Sequence, residues 1–288
     1  MNGFLLIDKP KGLTSSNCVY QLRKLLGIKK IGHCGTLDPL ATGLLPICIG
    51  EATKFSSFMS NLDKTYEVGI RFGIATDTGD IEGEVISKTN NNFDEIKLKN
   101  ILQTFVGPQT QIPPMYSALK QKGKPLYWWA RKGVFLLRKE RNIIIHNIDL
   151  ISFKNYQLNI KVSCTKGTYI RSLAESIGKA LMTKATVISL RRLSIGNTES
   201  NQMVLMPKSK INDISSSVLP SDFLLKSLPK VILIKEDVKK VRNGQSIDYN
   251  AQLEKKGLVR IYTNKSFMGI GELNTSNRLS PRRLVAIN

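Results

Sequence analysis

From Thr65 the chain alternates strictly: Tyr66, Val68, Ile70 and Phe72 are large and apolar, and Thr65, Glu67, Gly69 and Arg71 stand between them. A period of two puts one set on each face of a pleated strand, so a slip of one residue would turn Glu67 and Arg71 into the core. The register is therefore fixed. The same alternation returns at Leu158, Ile160, Val162 and Cys164, and Ile143 to Phe153 reads as a further strand. Leu44 to Ile49 is instead a continuous apolar run of strand length, the pattern of a strand covered on both faces. Gly3 to Asp8 reads as a short strand ended by the turn Lys9-Pro10-Lys11-Gly12.

Single helices separate these strands. Ser15 or Ser16 is placed to cap one whose Val19, Leu22, Leu25 and Leu26 share a face and which stops at Gly27. Asp94 caps a second, which uses Leu98, Ile101, Leu102 and Phe105 and ends before Gly107-Pro108. Leu173, Ile177 and Leu181 space a third, from Ile170 to about Leu181. Strands in clusters between single helices predict an α+β fold with a mixed or largely antiparallel sheet. Residues 198 to 229 lose periodicity and collect Ser, Asn and Pro, the composition of a connecting region. Beyond it, Val259 to Thr263 and Phe267 to Leu273 predict a hairpin around Asn264-Lys265-Ser266, with Leu284 to Ile287 as a last strand. Together they make a small all-β module of about sixty residues, thin in core and expected to dock on the main domain.

Lys and Arg number 43 against 22 Asp and Glu, a formal charge of +21. Such an excess points to a polyanion, although the abundance of Lys, Ile and Asn also fits an overall compositional drift, which would inflate the charge without any partner. The excess is concentrated. Gly107 to Arg141 holds eight basic residues and one acid, Glu140, interleaved with Tyr116, Tyr127, Trp128, Trp129 and Phe135. Cations neutralise phosphates and aromatic faces stack on unpaired bases, so nucleic acid is the favoured partner. The bland alternative is that Leu126, Trp129 and Val134 merely anchor the segment to the core, and both hold if a helix buries one face and offers Lys and Arg from the other. The N-terminal stretch meets Asp8 too early for a signal peptide and no run is long enough to span a membrane, so a cytoplasmic protein is expected.

Much chemistry lacks its motif. Cys18, Cys34, Cys48 and Cys164 form no CxxC pair, and with only His33 and His146 a three-histidine metal site and HExxH are both excluded. There is no P-loop, and Gly269-Ile270-Gly271 departs from the dinucleotide fingerprint at Asn274. Asp77, Asp80, Glu82 and Glu84 fail the calcium-loop pattern because Gly79 and Ile81 occupy ligand positions, which leaves a polar turn between strands. Within this basic chain, the nineteen residues from Gly32 to Gly50 carry a single carboxylate, Asp38. It stands before Pro39 and among Gly32, Gly35 and Gly43, which fits either an Asx-Pro turn or a loop closely approached by a ligand.

The run GHCGTLDPLATGLLPICIGEATKF, followed in order by DKTYEV, RFGIATDTGD, PPMYSALKQKGKPLYWWARKG, KGTYIRSL and ISLRRL, resembles the bacterial TruB-type tRNA pseudouridine synthases over roughly residues 3 to 193. SPRRLVAI resembles that family's small PUA-like RNA-binding domain. The resemblance implies a catalytic domain over 1–228, with an RNA-gripping insertion at about 107–141 and a linker at about 198–228, and an all-β PUA-like domain over 229–288. It implies isomerisation of uridine 55 in the tRNA T loop to pseudouridine, without cofactor or metal. Asp38 is implied as the nucleophile, on C6 of the base or C1′ of the ribose, and Arg171 as the cation that keeps it ionised. Tyr66 is implied to stack on the everted base and help proton removal at C5, and His33 to fill the vacated space. Tyr169 and Leu190 are implied to line the uracil pocket, and Lys9 to support the loop. Cys34 stands where threonine is common, which exposes the loop to oxidation. The implied partner is the T arm of tRNA, with a monomer needing no protein partner and no membrane. Two rivals remain: a catalytically silent tRNA chaperone, and an RNA-guided synthase subunit of the archaeal and eukaryotic type.

Overall fold

The computed structural model describes residues 1–198, 200–207, 212–249, 256–264 and 266–286. Lys265 in the expected hairpin and Ile287 in the expected last strand lie outside them. The chain opens with β1 (Gly3–Lys9) and α1 (Ser15–Leu26). Thr14, rather than Ser15 or Ser16, caps α1: its side chain accepts the Asn17 N–H at 3.0 Å. Ser15 is buried inside the helix, and its hydroxyl is committed elsewhere. Gly27 closes α1 in the left-handed conformation, at φ 65°, where a side chain would be strained.

β2 (Ile31–His33), β3 (Thr42–Ile49), α2 (Ser56–Ser60) and β4 (Lys64–Phe72) follow. β4 buries the four residues read as its inner face and exposes Glu67 and Arg71. Gly69 is buried as well, because Ser189 packs where its side chain would be. β5 (Ile74–Thr76) and β6 (Val85–Lys88) pair around the acidic turn, and α3 (Glu95–Thr104) is capped by Asp94 as expected. The basic segment contains β7 (Gly107–Gln111), β8 (Lys120–Gln121), β9 (Lys124–Pro125) and only a five-residue helix, α4 (Leu126–Ala130). No long amphipathic helix forms there among the described residues, and Val134 is exposed rather than an anchor. β10 (Arg141–Lys154), β11 (Gln157–Cys164), α5 (Ile170–Ala180) and β12 (Ala185–Ile195) complete the main body.

Eight strands run in the order β13-β1-β3-β12-β4-β11-β10-β7, where β13 is Val204–Leu205, and β2 attaches to β3 as the ninth. Pairing is antiparallel except at β1–β13 and β3–β12. The connecting region is thus more than a tether: it supplies β13 and α6 (Asn212–Ser215), and Leu219 exchanges two backbone hydrogen bonds with Phe4. One edge of β3 is divided. Its first residues pair with β12 and its last three with β2, and the segment from Cys34 to Ala41 leaves from the split between them.

β14 (Lys230–Leu233), α7 (Lys235–Arg242), β15 (Ile247–Asp248), β16 (Gly257–Thr263), β17 (Ser266–Leu273) and β18 (Arg278–Leu284) form a second, five-stranded sheet with one helix beside it. The β16–β17 hairpin agrees with the pattern. The last strand ends at Leu284, where the sequence placed its start, because among its polar residues only Leu279 is fully buried and the alternation is hidden. This module shares a core with the main body: Phe267 packs against Phe55 at 5.4 Å, and Ile270 joins Phe4 and Leu6. Glu51 clips the join, accepting the Ala286 N–H at 2.6 Å while paired to Lys30 and Lys54. No helix among the described residues is long and apolar enough to cross a membrane.

Candidate active site

Asp38 stands on the loop that leaves the split in β3, and its neighbours are tied from all sides. The Ser15 hydroxyl accepts the Leu37 N–H at 2.8 Å and donates to the Leu37 carbonyl. Lys9 is fully buried at the end of β1, and its ammonium donates to the carbonyls of Pro10, Leu13 and Pro39. Gly12 N–H also reaches Pro39, and Leu37, Leu40 and Ala41 are core residues. Gly43, at φ 93°, lets β12 approach: a Cβ there would lie 2.3 Å from the Arg192 carbonyl oxygen. With the flanks fixed, the Asp38 side chain remains 36% exposed, partly shielded from water and partly open to it.

Arg171, the second residue of α5, meets Asp38 Oδ2 through Nη2 at 2.8 Å. Its side chain is 6% exposed. The other edge of the guanidinium lies 3.4 Å from Asp80 Oδ2, and it also donates to the carbonyls of Thr78 and Tyr116, both at 2.8 Å. One cation thus joins two carboxylates, the acidic turn and the basic segment. Burial pushes the Asp38 carboxyl above the ordinary aspartate range; Arg171 pulls it back, and Asp80 pushes it up again. Asp80 is itself fixed, accepting from the Thr78 hydroxyl at 2.9 Å and the Glu82 N–H at 3.1 Å.

Tyr66 on β4 is 8% exposed, and burial raises its phenol above the usual range. Tyr169 caps α5, and burial likewise raises it. Gln111 at the end of β7 holds this residue by both backbone groups: its amide donates to the Tyr169 carbonyl at 3.0 Å, and its carbonyl accepts the Tyr169 N–H at 2.7 Å. Asp38, Arg171, Tyr66, Tyr169 and Lys9 therefore share one electrostatic neighbourhood. His33 closes β2, within electrostatic reach of Arg192. Burial and that arginine lower its pKa, which favours the neutral imidazole, and Nδ1 is buried without a partner among the described residues. Leu190 lies on β12 two residues before Arg192 and belongs to the same core as Tyr66.

The sequence gives no role to Gln111 or Arg192, places Asp80 only in a polar turn, and counts Tyr116 only among the aromatics of the basic segment. Asp80 carried a usable signal, an acid in a basic chain, but as part of a turn it had a sufficient local explanation. Cys34 needs a correction. Its thiol is fully buried, and the neighbouring Cys48 together with burial raises its pKa, so the expected sensitivity to oxidation lacks an accessible sulfur.

A family model described as "TruB family pseudouridylate synthase (N terminal domain)" matches residues 23–170, and one described as "Pseudouridine synthase II TruB, C-terminal" matches 229–285. The chain is 43% identical to a tRNA pseudouridine synthase B of Chromobacterium violaceum, over 99% of this chain and 95% of the relative. It is 42% identical to one of Buchnera aphidicola subsp. Schizaphis graminum, over 100% and 96%. Among solved structures, an H/ACA RNP bound to a substrate RNA containing 2′-deoxyuridine superposes with TM-score 0.75 at 20% identity, covering 99% of this chain and 85% of that one. A Cbf5-Nop10-Gar1 complex gives 0.73 at 23%, over 99% and 84%.

Proposed function

The chain belongs to the TruB family of pseudouridylate synthases, and from that premise we propose that it isomerises uridine 55 in the T loop of tRNA to pseudouridine. The observation that carries this reading is the 2.8 Å pair between Asp38, on a loop fixed on both flanks, and the buried Arg171. A nucleophilic carboxylate has to be ionised, and a site that is to close over a base must keep it so with a fixed cation.

In this reading the target uridine is turned out of the stacked loop, since its glycosidic bond is otherwise out of reach. Tyr66 stacks on the everted base, His33 fills the space it leaves, and Tyr169 and Leu190 wall the pocket. Asp38 attacks C6 or C1′, the uracil is released and turned, and it rejoins through C5. Lys9 acts indirectly, by holding Pro39. Side chains alone suffice for these steps, with no cofactor.

Residues 1–228 are assigned to catalysis, with about 107–141 gripping RNA, and 229–288 to a PUA-like RNA-binding domain. The chain acts on tRNA, as its bacterial relatives' names suggest, at the T arm and as a monomer, without the partners of the RNP subunits it resembles in fold. The test is the purified chain with unmodified tRNA and no guide RNA, with pseudouridine mapped by carbodiimide labelling. Product at position 55 is expected. Binding without product would favour the silent chaperone, and product only with guide RNA and added proteins would favour the RNA-guided reading.

A further inference from the structure

Arg192 is a fully buried cation with no carboxylate in ion-pair contact among the described residues. Leaving a guanidinium in that state is expensive, and a merely structural site is served as well by a neutral side chain. Its position is specific. In the β12–β4 register Arg192 is the direct cross-strand partner of Tyr66, so the two side chains share one face of the sheet. Nε donates to the Leu44 carbonyl at 2.7 Å and Nη2 to the Gly35 carbonyl at 3.1 Å, which anchors the guanidinium in the split of β3 beneath the Asp38 loop. A guanidinium has five N–H donors, so these bonds leave donors for the phenol opposite.

We propose that Arg192 is a positioning residue for Tyr66: it fixes the phenol oxygen beneath the everted base and supplies the charge that allows this oxygen to take the C5 proton. This rests on the proposed role of Tyr66. Once C5 has bonded to C1′, C5 carries both the ribose and its original hydrogen. The proton passes to the phenolate oxygen, the C5–H electron pair closes the C5=C6 double bond, and the former C6=N1 pair goes to N1, which takes a proton from solvent. Burial opposes the phenolate and Arg192 favours it; the other charged or titratable groups facing the phenol are Cys164 on β11 and Asp38 on its loop, both opposing it. Arg192 also faces Cys34, His33, Lys9 and Lys64, and it disfavours protonation of the last three. It is thus the cation set directly across from the phenol, and it lowers the pKa of the other bases around it.

The experiment uses the full chain, with Arg192→Gln, Arg192→Lys and Tyr66→Phe. The C5 hydrogen leaves in the reaction, so tritium released from tRNA labelled at C5 of uridine gives the rate as a function of pH, and ¹³C-labelled tyrosine reports titration of the phenol. Arg192→Gln should lose at least about 100-fold at neutral pH with little change in KM, recover as pH rises, and show Tyr66 titrating higher. A fluorinated tyrosine of lower pKa at position 66 should restore part of that rate. Arg192→Lys, which keeps the charge and guards against a folding failure, should lie between wild type and Arg192→Gln. If both arginine variants lose the same factor at every pH, or if Tyr66 titrates as in wild type, Arg192 only braces the loop and the inference is overturned. Full activity of Tyr66→Phe would instead overturn the role given to Tyr66, and the inference with it.

Discussion

The Asp38 loop and the basic segment from Gly107 to Arg141 are both assigned to the substrate in the proposed function, yet they are built in opposite ways. Around Asp38 the backbone is tied by Ser15, Lys9, Gly12 and Arg192, and its apolar residues sink into the main core. Between Lys120 and Glu140 only Leu126 and Ala130 are buried, in a satellite cluster with Met115, while Phe135 is 77% and Leu137 95% exposed. Chemistry tolerates little misplacement, so the reacting groups are fixed before substrate arrives. Binding a folded RNA needs surface that can adapt, so apolar side chains such as Phe135 and Leu137 are left exposed, and basic ones rest on surface rings, Lys124 over Trp128 and Arg131 over Tyr127. The two regions meet at Gln111, Ile112 and Tyr116, where the root of the segment bonds to Tyr169, Ser172 and Arg171.

Asp38→Asn should separate the regions most sharply: a turnover loss on the order of 10⁴-fold or more, with tRNA affinity within a few-fold of wild type by filter binding. A comparable loss of binding would mean that the fixed region also grips. Arg171→Met is expected to cost about 10³-fold in turnover and to destabilise the fold by about 3–5 kcal/mol, because two carboxylates lose their shared cation. Thermal unfolding and single-turnover rates check both. Gln111→Leu, at the junction, should lower stability by about 2–4 kcal/mol, since two backbone groups of Tyr169 lose their partner, and turnover by up to about 10²-fold through misplaced Tyr169 and Arg171.

How far these residues were legible depends on the range of the contact that gives each its role. Alternation over Thr65 to Phe72 and a cap such as Asp94 are local facts, and they appear where the pattern put them. β12 was missed because two bulges break its alternation, between Val187 and Ser189 and between Arg192 and Ser194. Asp38 could be singled out by charge contrast, and its role by likeness to a family. Gln111 could not, because it acts on a residue 58 positions away and has an ordinary neighbourhood in sequence. Arg192 was hidden in a different way: an arginine in a basic strand reads as surface, and only the fold reveals that it is buried.

At the weak end, Phe135→Ala and Leu137→Ala should each reduce tRNA affinity by about fivefold, near 1 kcal/mol, if either packs on an unpaired base. Stability should not change, because neither is buried. In the absence of RNA, hydrogen exchange between 119 and 140 should be fast, and it should slow on adding tRNA while the Asp38 loop stays protected throughout. Equal protection in both regions before RNA is added would erase the contrast between them.

The most direct test is the acid limb of the single-turnover rate against pH, in wild type and Arg171→Lys, with tRNA saturating. Asp38 has to be ionised to attack, and burial raises its pKa, so activity should fall as pH drops through a value above the ordinary aspartate range. Loosening the Arg171 pair removes the influence that lowers that pKa, so the limb should move to higher pH in the variant. A rate that stays flat into the range of an unperturbed carboxylate, or a limb that Arg171→Lys leaves in place, would contradict the assignment of Asp38 as the ionised nucleophile.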